Sequence, residues 1–176
     1  MKISPFFNTA RKCFPRLLLA VWISVIGGAT TGVASALEMQ SVETGKQVQL
    51  EDITGDGKWT LVMIWASTCH ICRLQKPEMS AFHDKHKGSK AKIIGLALDG
   101  AQGLDAVNRY IEETKPSFPS YVADGIVIAS YYYSVTEESL RGTPTYLLYN
   151  PEGELMANNP GMLSVEALES FIEKNS

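Results

Sequence analysis

Cysteine is scarce in this chain: there are only three among 176 residues, and Cys13 stands near the start, ahead of the first apolar run. Beyond that run the chain has two, Cys69 and Cys72. So few sulfurs, so close together, exclude a fold stapled by several disulfides. An excess of base is missing as well. The chain has 16 Lys and Arg against 19 Asp and Glu. Four of the basic residues, Lys2, Arg11, Lys12 and Arg16, lie in the first sixteen positions; without them 12 remain against the same 19 acids, a balance of about −7. That charge excludes nucleic acid as a partner, because binding it calls for a basic patch. Internal repeats and low-complexity stretches are absent too. The remaining ~140 residues suffice for one domain with its own core.

The N-terminal stretch 1–36 has the features of a targeting segment. Its basic start is followed by an apolar run from Leu17 to Ile26, of signal-peptide length and short for a membrane span, and then by small residues ending Ala34-Ser35-Ala36. The alternative is an uncleaved anchor, with Gly27 to Val33 lengthening the apolar run. Either way residues 37–176 are expected outside the cytoplasm, in the periplasm, touching the membrane only if the segment is retained.

Leu61-Val62-Met63-Ile64-Trp65-Ala66 is a continuous apolar run, the pattern of a strand buried on both faces. A helix is expected from about His70 to His86, with Ile71, Leu74, Met79 and Phe82 on its inner face and Pro77 inside it. Lys85 to Lys92 reads as a solvated basic loop. A second buried strand follows at 92–99, then a helical stripe of Leu104, Val107 and Ile111 stopping before Pro116. Alternating strands and helices imply parallel pairing with right-handed crossovers. Before the central strand, residues 37–57 read as a short strand or hairpin and a turn. After it come a short strand near 120–123, a helical turn at 126–133 containing three consecutive tyrosines, and a strand at 145–150. A turn at 150–153 then leads to an antiparallel return at 154–157. A last helix follows, capped by Ser164 and buried through Val165, Leu168 and Ile172.

Cys69 and Cys72 therefore fall where a buried strand meets a helix N-terminus. Free backbone N–H groups and the helix dipole favour negative charge there, so a thiol at that point ionises more easily. Thiol–disulfide exchange needs one thiolate and a second thiol within reach, and two cysteines one helical turn apart supply both. No cofactor is needed, and no resident metal is expected. A zinc site would need four ligands, and only His83 and His86, on the same helix, could join the cysteines. A copper(I) module using the two soft thiolates is the rival from another class. His70, beside the first cysteine, would stabilise its thiolate if protonated and do little if neutral.

The chain resembles the thioredoxin superfamily, and within it the exported TlpA-like thiol–disulfide oxidoreductases. Three features carry the resemblance over most of 37–176: Trp65-Ala66-x-x-Cys69-x-x-Cys72 after an apolar strand, Pro77 five residues further on, and Gly142-Thr143-Pro144-Thr145 before a strand. It implies an α/β thioredoxin-like fold, a central mixed sheet flanked by helices, with the N-terminal strand or hairpin as an extension. It implies Cys69 as nucleophile, Cys72 as resolving thiol, and Thr143 with a cis Pro144 as the place where substrate backbone pairs. It also implies protein thiols or disulfides as substrates and a membrane-bound electron donor or acceptor as partner. TlpA-like relatives are mostly reductants, some serving cytochrome c maturation; a disulfide oxidase or isomerase of the same fold is the alternative. The chain departs from the pattern at Thr68, where many relatives have Trp, at Ile71, where Pro is common, at Gln75, where Glu is common, and at Met63, where thioredoxins proper bury an Asp. No carboxylate stands at either place from which one would take the proton of Cys72, which leaves Glu78, Asp99 or water.

Overall fold

The computed structural model describes residues 36–176; the expected targeting segment lies outside the described residues, apart from its last position. One seven-stranded sheet runs in the order β2-β1-β5-β4-β3-β6-β7. Its strands are β1 (Glu38–Ser41), β2 (Gln47–Gln49), β3 (Trp59–Trp65), β4 (Ala91–Ala97), β5 (Ser120–Val122), β6 (Thr145–Tyr149) and β7 (Leu155–Pro160). The helices are α1 (His70–His86), α2 (Leu104–Thr114), α3 (Gly125–Thr136) and α4 (Val165–Asn175). β3, β4 and β5 are parallel neighbours, while β6 joins β3 antiparallel and β1 joins β5 antiparallel. The architecture is the thioredoxin-like mixed sheet with flanking helices, and the N-terminal hairpin β1–β2 extends it.

All seven residues of β3 are buried, as its unbroken apolar run requires. Successive side chains alternate between the faces of the sheet. Leu61, Met63 and Trp65 point into one core with Cys72, Met79 and Phe82 of α1, Val107 and Tyr110 of α2, and Leu168 and Ile172 of α4. Val62 and Ile64 point into the other, with Ile128, Tyr131 and Tyr132 of α3 and Leu37 and Met39 of the first strand region. The sheet thus separates a three-helix side from a side covered mainly by α3.

Two expectations need correction. The inner face of α1 does not contain Ile71 or Leu74, which are 41% and 58% exposed. The buried stripe runs instead through Cys72, Lys76, Met79, His83 and His86, joined by Gln75 and Phe82. Once Cys72 points at the sheet, Leu74 lies about 200° further round at 3.6 residues per turn, facing away. The helical turn expected at 126–133 is the middle of a longer helix, α3, which Glu137 caps in the left-handed conformation at φ 59°. That helix is a full twelve residues, begun by the Asp124 side chain accepting from the Ile126 N–H at 2.8 Å. Within the tyrosine run, Tyr131 and Tyr132 are core and only Tyr133 is exposed.

Candidate active site

β3 delivers the chain to the sheet edge at Trp65, and four residues later Cys69 becomes the N-cap of α1. The turn between them is pinned from β4. The carboxylate of Asp99 accepts from the Ser67 N–H at 3.1 Å and from the Ser67 hydroxyl. Asp99 is therefore committed to the turn, and Glu78, the other carboxylate considered, is exposed on α1.

Cys69 and Cys72 form a disulfide, with their Cα atoms 5.3 Å apart. Cys69 Sγ also accepts from the Cys72 backbone N–H at 3.1 Å, the position a capping oxygen occupies in most helices. An anion formed on this sulfur upon reduction would sit on the positive end of α1. The two sulfurs are not equivalent. Cys69 is half-buried and Cys72 is wholly buried.

The Thr143–Pro144 peptide bond is cis, and the Thr143 carbonyl oxygen lies 3.5 Å from Cys69 Sγ. In the disulfide that is a contact; a Cys69 thiol could donate its proton there. The Pro144 carbonyl accepts from Gly161 N–H at 2.8 Å, which ties the cis bond to the loop after β7. His70 is exposed at the first position of α1. Ile71 and Leu74 are exposed too, and so is Met162, between the residue that binds Pro144 and the residue that binds Gln75. Ile71, Leu74 and Met162 are thus apolar side chains that nothing in the described fold covers.

Gln75 is only 2% exposed and fully engaged. Its Oε1 accepts from the Tyr146 hydroxyl at 2.6 Å and the Leu163 N–H at 3.1 Å, while its Nε2 donates to the Leu163 carbonyl at 2.7 Å. It locks α1 to β6 and to the loop before α4 and offers no base. The two histidines considered as metal ligands are engaged elsewhere: His83 Nδ1 accepts from the Ile93 N–H at 3.0 Å, and His86 Nε2 lies 2.9 Å from Glu169.

Sequence reasoning missed Lys76, which is fully buried one turn after Cys72. Its Nζ lies 3.8 Å from the centroid of the Trp65 ring, 5.0 Å from Tyr110 and 5.3 Å from Phe118. Ring faces favour the charged amine. Burial and the nearby Arg73 guanidinium disfavour it and prevail, bringing the group from 10.5 down to about 7. The one signal in favour of Lys76 is spacing, since position i+4 from a helical cysteine that faces the core shares its face, and the usual exposure of lysine outweighs it.

A family model described as the AhpC/TSA family matches residues 32–158, which contain both cysteines and Pro144. The chain belongs to the AhpC/TSA family. It is 26% identical over 166 residues to the sporulation thiol-disulfide oxidoreductase A of Bacillus subtilis, covering 89% of this chain and 97% of that one. It is 27% identical over 126 residues to the thiol-disulfide oxidoreductase ResA of Oceanobacillus iheyensis, covering 71% and 60%. Among solved structures, the thioredoxin domain of a thiol-disulfide oxidoreductase from Bacteroides vulgatus superimposes with a TM-score of 0.65 at 25% identity, over 81% of this chain and 94% of that one. The exposed lipoprotein thioredoxin of Streptococcus pneumoniae gives 0.64 at 24%, over 79% and 98%, a likeness of fold. Family, fold and the paired cysteines make this AhpC/TSA member a thiol–disulfide oxidoreductase, in keeping with its TlpA-like sequence features.

Proposed function

We propose that the protein works outside the cytoplasm as a reductant of disulfides in other proteins, with Cys69 as nucleophile and Cys72 as resolving thiol. The observation that carries this reading is the inequality of the two sulfurs: Cys69 is partly open and held at a helix N-terminus, and Cys72 is sealed beneath it. In the reduced protein the Cys69 thiolate attacks one sulfur of a substrate disulfide. A mixed disulfide forms and the other substrate sulfur leaves as a thiolate. Cys72, having lost its proton, then attacks Cys69 Sγ. The Cys69–Cys72 bond forms, the second substrate sulfur departs, and two electrons have passed to the substrate.

The exposed Ile71, Leu74 and Met162 are the apolar surface on which a substrate chain rests, and Thr143 with Pro144 presents backbone to it. The B. subtilis and O. iheyensis relatives carry the name thiol-disulfide oxidoreductase, which supports the exchange. The TlpA-like resemblance supports the direction, with a membrane-bound donor recharging the pair. Export rests on stretch 1–36; among the described residues no helix is long and apolar enough to cross a membrane.

Cys72→Ala is the test. With no resolving thiol, mixed disulfides on Cys69 should accumulate in cells and name the substrates on non-reducing gels; an absence of adducts would overturn the exchange reading. A reduction potential near the glutaredoxin range of about −200 to −230 mV or below agrees with a reductant. A value near the about −120 mV of strong oxidants reverses the direction.

A further inference from the structure

Resolution requires Cys72 to lose a proton in a fully buried place, and among the described residues neither Asp99 nor Glu78 is placed to take it. Gln75 has no base to offer, Asp99 holds the turn, and Glu78 faces outward. On the inner face of α1 the next titratable group is Lys76, one turn on from Cys72.

Helical side chains lean toward the N-terminus, over the turn before their own Cα. The Lys76 chain therefore runs back under the Cys72–Arg73 turn. Its contacts agree, because Arg73 Cζ and Lys76 Nζ lie over the same Tyr110 ring, at 4.5 and 5.0 Å from its centroid. The groups around the amine come from every element packed there. α1 supplies the Arg73 guanidinium, which is itself paired with Glu113 of α2 at 2.8 Å, and carries Cys72 one turn back on the same buried face. α2 supplies the Tyr110 phenol, pushed up to about 12 by burial and so protonated at neutral pH. β3 supplies the Trp65 ring, and the segment before β5 supplies Phe118. Among the described residues Lys76 Nζ has no hydrogen-bond partner, nor have Tyr110 Oη, Trp65 Nε1 and Ser120 Oγ nearby in the same core. The last two converge on Gly95, where an added Cβ would come within 3.0 and 3.2 Å of them.

We propose that Lys76, as the neutral amine, takes the proton of Cys72 during resolution of the mixed disulfide, in place of a carboxylate. The inference rests on the exchange reading given above. The S–H bond of Cys72 breaks and an N–H bond forms on Nζ. The Cys72 thiolate attacks Cys69 Sγ, the Cys69–Cys72 bond forms, and the partner sulfur leaves with the electron pair of the broken S–S bond. The ammonium then returns its proton to solvent, and Lys76 ends as it began. In the reverse reaction the ammonium protonates Cys72 as it leaves.

The test is the reaction of the reduced full-length protein with dithiobis-nitrobenzoate, whose released thiol is coloured. Attack by Cys69 releases the first equivalent and resolution by Cys72 releases the second. In the wild type the second step should rise with pH around 7, where Lys76 loses its proton. Lys76→Met should leave the first step unchanged and slow the second about a hundredfold near neutrality, at the low end of general-base effects. Its rate should recover only at higher pH, where the thiol ionises unaided. Lys76→Arg keeps the charge without releasing a proton and should lose the same inflection. A second step with wild-type rate and pH profile in either variant overturns the proposal. A wild type that releases only one equivalent overturns the exchange reading, and this inference with it.

Discussion

Lys76 is more readily deprotonated in the folded protein than in the unfolded chain, so its proton is linked to folding. Its folded value of about 7 lies below the ordinary 10.5. Between those values the unfolded chain holds a proton that the folded one does not, so this group makes stability rise with pH across the window. Below about pH 7 both states are protonated and the full cost of a buried ammonium applies. Lys76→Met, apolar and of similar length, should therefore be more stable than wild type, on the order of 5 kcal/mol below that pH, with the gap closing toward pH 10.5. Urea unfolding of the oxidised protein at several pH values measures it; a gap independent of pH would mean that the amine keeps its charge in the fold. At this scale Cys69 and Cys72 were legible because their spacing is a motif, and the cis bond at Pro144 only through the family resemblance. Lys76 was not, because a lysine in a helix is ordinarily a surface residue whose stem alone is buried.

At the scale of elements, the junction between β3 and α1 depends on a residue from β4's far end. Asp99→Ala removes the acceptor for the Ser67 N–H and hydroxyl and leaves both to water or to nothing. The loss should be about 2 kcal/mol, in the range for hydrogen bonds to a charged group. The attack step of Cys69 should slow as well, because the turn that presents it loosens. Denaturation midpoints and the first coloured equivalent report the two effects; a variant with unchanged stability would show that the turn holds without Asp99. The strand preceding the cysteines, the length of α1 and the Ser164 cap could all be read from apolar runs and capping residues. The rotation of α1 could not. Ile71 and Leu74 were assigned inward because apolar residues usually are, whereas the surface beside a reactive disulfide is a place where exposed apolar side chains can serve binding. The extent of α3 was also hidden, because apolar residues all round a helix leave no periodic stripe to read.

Across the whole molecule the sheet divides support from chemistry. The face carrying Cys72, Gln75 and Lys76 belongs to α1, α2 and α4, while Met39, Leu50 and Ile128 pack on the opposite face. Met39→Ala should cost about 2–5 kcal/mol, as deletion of a buried methionine side chain does. It should nevertheless leave both steps of the thiol reaction at wild-type rates in the folded protein. Changed rates without lost stability would mean that the two faces communicate. The alternation of strands and helices announced parallel pairing at the centre. The antiparallel seam of β1 against β5 was invisible, because Gln40 meets Val122 across about eighty residues of intervening chain, and no local pattern encodes such a partner.

The neighbours of the reactive pair also arrive late. Thr143 follows Cys69 by 74 positions, and Leu163, which fastens Gln75, comes 88 positions after its partner. A nascent chain emerging N-terminus first thus exposes both sulfurs well before the β6–β7 ribbon can close over them. During that interval they are ordinary cysteines in an unfinished polypeptide, open to any oxidant or stray thiol. The enzyme must itself pass through the condition of a client before it can serve one.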